Sequence, residues 1–156
     1  TPQREQSAPF EVAAKAAVLI DADTGKILFQ QKAHEELPLA SVTKVMTMLL
    51  VMDCVDSGKI TLDDKVTISQ RAASMGGSQM YMEAGETHTV SELLKGVAMA
   101  SANDGCVALA EYVCGSEEIF VEKMNEKAKE IGMRDSHFVN TNGLPVAEHY
   151  SSAYDI

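Results

Sequence analysis

A chain of 156 residues, 46% apolar and 23% charged, is long enough to bury a core, and this composition excludes global disorder. The formal net charge of -10, with no Lys/Arg cluster, argues against nucleic acid and anionic membrane surfaces as partners and reads as solubility. No apolar run is long enough to span a bilayer; the longest, from Val45 to Met52, is short and interrupted by Thr47.

Residues 1–14 are expected to form a flexible lead-in, and the polar stretch from Thr1 to Pro9 lacks the apolar core of a signal peptide. Residues 16–20 and 27–30 are strand-like and flank Asp21, Asp23 and Gly25, which mark a hairpin loop. The polar stretch 31–39 ends with Pro38 just before a helix expected over residues 41–57, with Gly58 as its stop. Val45, Met48, Leu49 and Met52 follow helical spacing, while Met46, Leu50 and Val51 add apolar character elsewhere. A helix apolar nearly all round is expected to lie buried in the middle of a domain.

Residues 61–69 suggest a short strand or extended link, and 71–85, rich in Gly, Ser and Met, an irregular loop. Thr89 and Glu92 form a capping box that opens a helix carrying Leu93, Leu94, Val97 and Ala98. After a break at Ser101, Ala102 and Asn103, a second helix carries Val107, Ala110 and Val113 and stops near Gly115. Ser116 caps a third, with Ile119, Phe120, Lys123, Met124 and Ile131 at helical spacing and Gly132 at its end. Residues 140–145 read as a turn, and residues 151–155 as the start of a further helix.

Three cysteines cannot form a fully paired framework. On one helix, Cys106 and Cys114 would stand roughly 12 Å apart, too far for a disulfide. Neither the cysteines nor His34, His88, His137 and His149 show metal-binding spacing. The nine methionines read as core filler, and Glu83 and Glu86 as solvated loop charges.

Ser41 and Lys44 stand three apart, so on a helix they share a face. A serine hydroxyl needs a base before it becomes a nucleophile, and a lysine serves only when neutral, which burial favours. Free N–H groups at the helix N-terminus could hold an oxyanion. The spacing fits equally an N-cap serine and a solvated lysine, and such a match arises by chance on the order of once in a chain this long. Ser101 offers a hydroxyl that can relay a proton, and Asn103 a donor and acceptor for a substrate amide, unless both merely cap the following helix. Both motifs occur in the order found in serine β-lactamases and penicillin-binding proteins.

The resemblance extends along the chain through Ala40-Ser-Val-Thr-Lys-Val-Met-Thr, Gly77-Ser-Gln-Met, Gly85-Glu, Thr89-Val-Ser-Glu-Leu-Leu, Ala100-Ser-Ala-Asn-Asp-Gly, Ala108-Leu-Ala-Glu-Tyr, Asn142-Gly-Leu and His149-Tyr-Ser-Ser-Ala-Tyr-Asp. On these stretches, about 15–155, the chain resembles the low-molecular-weight penicillin-binding proteins, the serine D-alanyl-D-alanine carboxypeptidases of peptidase family S11. The resemblance implies an α/β (α+β) transpeptidase-like fold, an antiparallel sheet packed against a helical cluster, with residues 15–156 as a partial catalytic domain. It implies Ser41 as the acylated nucleophile, Lys44 as its base, Ser101 as proton relay and Asn103 as substrate holder. The implied substrate is a peptidoglycan stem peptide ending in D-Ala-D-Ala, with β-lactams as covalent inhibitors and neither metal nor cofactor. The implied location is extracytoplasmic, on the wall side of the membrane.

The family's third motif, Lys-Thr-Gly on a central strand, does not occur in this sequence. The remaining strands are expected from the other part of the domain, and without them a sheet edge and an apolar helix face should lie bare. A β-lactamase or D,D-endopeptidase of the same superfamily, and a non-catalytic wall-peptide-binding module, are the competing readings.

Overall fold

The computed structural model describes residues 10–156. Most of the expected lead-in, residues 1–9, lies outside that range. Residues 10–14 run against the first hairpin rather than away from it: Phe10 stacks on Phe29 at 5.1 Å, and Gln31 Nε2 donates to the carbonyls of Val12 and Ala14.

Strands β1 (Ala17–Ile20) and β2 (Ile27–Gln31) pair antiparallel with a bulge between Leu19 and Ile20. Their turn is tied by Asp21, whose Oδ1 accepts from the Thr24 amide and hydroxyl. A 3-10 turn at Ala40–Val42 leads into α1 (Thr43–Asp56). Then come β3 (Lys65–Thr67), α2 (Gln70–Ala73), β4 (Thr87–Thr89), α3 (Val90–Ala100), α4 (Asn103–Cys114) and α5 (Glu117–Ile131). The expected antiparallel pairing is present, divided between two separate two-stranded sheets, β1–β2 and β3–β4.

The stretch expected as loop between 71 and 85 begins with α2. Ser69 caps it, its hydroxyl accepting from the Ala72 amide at 3.0 Å. The Thr89–Glu92 capping box is present in both directions, at 3.0 and 2.7 Å. Ser116 caps α5 as expected. Residues 151–156 form a turn rather than a helix, with Ser151 bridged to Leu37.

The central buried helix is α4, not α1. Cys106, Val107, Leu109 and Ala110 are fully buried, and α4 packs against α1, α2, α3 and α5. Its small residues, Gly105, Cys106, Ala108 and Ala110, let four helices approach closely. In α1 the buried side carries Thr43, Lys44, Met46, Thr47 and Val51, while Val45 is 62% exposed and Leu49 38%. Val45, Leu49 and the preceding Val42 line one apolar cleft with Ile131 and Phe138. Leu19, Ile20 and Leu28 of the hairpin are likewise exposed; the expected bare helix face is thus present on α1, and among the described residues each strand of the β1–β2 sheet is paired on one side only. Among the described residues, no helix is long and apolar enough to cross a membrane.

Candidate active site

Backbone geometry delivers Ser41. Ala40 takes a left-handed φ of 47°, an uncommon conformation for a residue with a side chain, and turns the chain into the 3-10 segment. Val42 and Thr43 donate their amides to the carbonyls of Leu39 and Ala40. The turn therefore consumes amides that a bare helix N-terminus would have offered to an oxyanion. Ser41 is exposed, while Lys44, one residue inside α1, is 3% exposed.

The two side chains meet as their spacing predicts, with Lys44 Nζ 3.0 Å from Ser41 Oγ. Lys44 also donates to the Asn142 carbonyl at 2.6 Å. Burial lowers its pKa below the usual 10.5, the shift a general base requires. A thiolate at Cys106 would raise it again, but burial pushes that thiol up to about 12, so near neutrality Cys106 carries no charge to oppose the shift.

Ser101 reaches the same point from the other side. It ends α3 in a left-handed conformation, φ 54°, and its Oγ donates to Ser41 Oγ at 2.9 Å. Asn103, 4% exposed, is the first residue of α4 and makes no side-chain cap. Its Nδ2 donates to the Gly76 carbonyl at 2.8 Å, and its backbone N–H to the Ser78 carbonyl. The 76–82 loop is thus pinned beside the site. Ser41, Lys44 and Ser101 meet here, while Asn103, two residues after Ser101, is held as an anchor of the 76–82 loop.

Other groups were not singled out. Asp104 is fully buried, and its carboxylate accepts from the amides of Met80, Met82 and Gly105. It is a second anchor for the same loop, and its place directly after Asn103 was the only signal. Thr141, Asn142 and Gly143 form the floor beneath Lys44. Gly143 has a φ of 88°, and any Cβ there would collide with the Ala40 carbonyl oxygen, so this turn and the one preceding Ser41 fit only around glycine.

His149 clasps the floor to α1. Its Nδ1 accepts from the Val139 amide at 2.9 Å, which leaves the proton on Nε2, facing Thr43 Oγ1 at 2.7 Å. Burial, then the neighbouring His137, lowers its pKa below 6.5. His149 thus serves as a hydrogen-bonding clasp between the Val139 backbone and Thr43.

Comparison with known proteins agrees with this geometry. The family model of peptidase S11, D-alanyl-D-alanine carboxypeptidase, matches residues 2–156. The D-alanyl-D-alanine carboxypeptidase DacF of Bacillus subtilis is 57% identical over 143 residues, covering 92% of this chain and 37% of the relative. The crystal structure of the carboxypeptidase DacD from Francisella tularensis superposes with a TM-score of 0.93 at 40% identity, covering 95% of this chain and 36% of that one. Penicillin-binding protein D2 of Listeria monocytogenes, solved in its ampicillin-bound form, gives a TM-score of 0.81 at 28% identity, over 95% of this chain and 60% of that one. The chain thus spans little more than a third of the length of these Bacillus and Francisella carboxypeptidases and carries part of their transpeptidase-like fold. With the family model covering nearly every residue and the serine–lysine pair assembled within it, the chain belongs to the D-alanyl-D-alanine carboxypeptidase family, peptidase S11.

Proposed function

We propose that the protein bearing this chain is a serine-type D-alanyl-D-alanine carboxypeptidase that trims peptidoglycan stem peptides. The observation that carries the reading is the convergence of Lys44 Nζ and Ser101 Oγ on Ser41 Oγ, at 3.0 and 2.9 Å. Neutral Lys44 takes the Ser41 proton as Oγ attacks the carbonyl of the penultimate D-alanine. Ser101, hydrogen-bonded to Ser41, passes a proton to the departing amine and regains one from the Lys44 ammonium, which returns Lys44 to its neutral form. Terminal D-alanine leaves, and an ester on Ser41 remains. Water then hydrolyses the ester, with neutral Lys44 accepting the water's proton and passing it to Ser41 Oγ as the acid departs. Asn103 has given its amide nitrogen to Gly76, so its oxygen is the group it offers to a substrate N–H.

A strand bearing Lys-Thr-Gly completes the site in the assembled domain by binding the terminal carboxylate. β-Lactams would acylate the same serine, in keeping with the ampicillin-bound Listeria relative. Such a substrate places the working enzyme outside the cytoplasm, facing the wall.

The test is covalent labelling of the full-length protein with a fluorescent penicillin, read by intact mass. One adduct is expected on the wild type and none on Ser41→Ala. Release of D-alanine from a stem-peptide mimic then separates a carboxypeptidase from a β-lactamase. Rapid penicillin turnover without D-alanine release would sink the proposal.

A further inference from the structure

We infer that Glu117 is a positioning residue for acylation, acting on Lys44 through Thr141 and Asn142; the inference rests on the carboxypeptidase reading above. Glu117 opens α5, stands 76 positions after Ser41 in sequence (117 minus 41), and is 6% exposed. Its Oε1 accepts two hydrogen bonds from Thr141, one from the amide at 3.2 Å and one from the hydroxyl at 2.8 Å. Its Oε2 accepts from Arg71 Nη2 of α2 at 2.7 Å. On the opposite side, Thr47 of α1 donates its hydroxyl to the Thr141 carbonyl at 2.6 Å. The amide, hydroxyl and carbonyl of the fully buried Thr141 are therefore all committed.

The next carbonyl along the chain, that of Asn142, receives Lys44 Nζ. A carbonyl one residue from so tightly held a position has little freedom to drift. This matters because neutral Lys44 has two N–H bonds and one lone pair. An N–H engaged by Asn142 limits how the amine can rotate, and the lone pair is left to face Ser41 Oγ. The carbonyl also stabilises the ammonium form more than the amine, opposing the effect of burial. It therefore helps set the pH at which the base becomes available. A paired carboxylate buried at a helix N-terminus is weak as a source of stability, because desolvation offsets the attraction. Its geometric hold on Thr141 is the stronger account of its presence.

The experiment measures the rate of acylation by fluorescent penicillin, as a function of pH, on the full-length protein. Wild type, Glu117→Ala and Glu117→Gln are compared, with thermal unfolding followed in parallel. Glu117→Ala is expected to acylate roughly 10- to 100-fold more slowly. Its ascending pH limb should move to lower pH, because a loosened carbonyl stabilises the ammonium less. Glu117→Gln keeps an oxygen for Thr141 and should recover most of the rate. A lower melting temperature with an unchanged rate per folded molecule and an unchanged limb would overturn the inference. If Glu117→Ala does not fold, Thr141→Val, which removes only the hydroxyl donor, serves instead. A smaller loss with the limb displaced in the same direction supports the role, and a wild-type profile overturns it. A wild type that takes no label overturns the carboxypeptidase reading, and the inference with it. A labelled wild type matched by both variants overturns the inference alone.

Discussion

Lys44 stands under two opposing influences. Burial disfavours its charged form, whereas the Asn142 carbonyl favours it. Removing the amine while keeping the charge should therefore be as damaging as removing both: Lys44→Arg holds its proton throughout the accessible range and cannot act as base. Its acylation rate, measured with a fluorescent penicillin, should fall by about 10²- to 10⁴-fold. His149 makes a different prediction. Its folded pKa lies below the unfolded 6.5, so on acidification the unfolded chain takes the proton first. The stability it contributes is complete above pH 6.5 and declines as the pH falls from there toward the folded value, with a slope of about 1.4 kcal/mol per unit. Urea unfolding of the wild type and His149→Gln near pH 7 and near pH 5 should show that acidification costs the wild type more; parallel pH dependences would refute this. At this scale the sequence was most legible where three-residue spacing does the placing, as for Ser41 and Lys44. It was least legible for Asn142, whose backbone carbonyl, rather than its side chain, meets the lysine.

Helix ends were the readable part of the elements. Ser116 and the Thr89–Glu92 box cap where local chemistry places them, because a side chain three residues away satisfies an amide without tertiary help. Thr89→Ala should lower stability by about 1 kcal/mol, readable as a shift in denaturant midpoint, without altering acylation. Elements of three or four residues were legible only in part: β3 lies within the stretch 61–69 that reads as a short strand, whereas α2 and β4 are too short to show a period. Their stability comes from contact, with Ala72 and Val66 buried against the core. The end of α3 and the start of α4 shape the candidate site. The left-handed turn at Ser101 stops α3 and aims the hydroxyl at Ser41, and the next helix begins at once with Asn103 and Asp104, which hold the 76–82 loop.

Across the whole molecule, the chain buries α4 from Asn103 to Ala110 yet leaves one side of α1 and the β1–β2 hairpin open. Val45 and Leu49 on one and Leu19, Ile20 and Leu28 on the other are apolar surfaces suited to being covered. The sequence contains no Lys-Thr-Gly tripeptide; on the proposed reading, residues 1–156 alone are expected to label far more slowly with fluorescent penicillin than the full-length protein. Equal rates would show that the open faces and the missing strand matter little to acylation. By itself the sequence determined the serine–lysine pair, the Ser101–Asn103 break, the order of the long helices and the family. Each of these depends on spacing within a turn or on motif order. Only the tertiary structure decided that α4 rather than α1 is the buried centre, since a helix apolar all round fits a core or a face awaiting cover equally well. The same holds for the floor of Thr141, Asn142 and Gly143, and for the clasps of Glu117 and His149. The contacts of the floor and of His149 with α1 join residues about a hundred positions apart, and Glu117 reaches 24 positions to Thr141 and 46 to Arg71; no local pattern records which of them will meet.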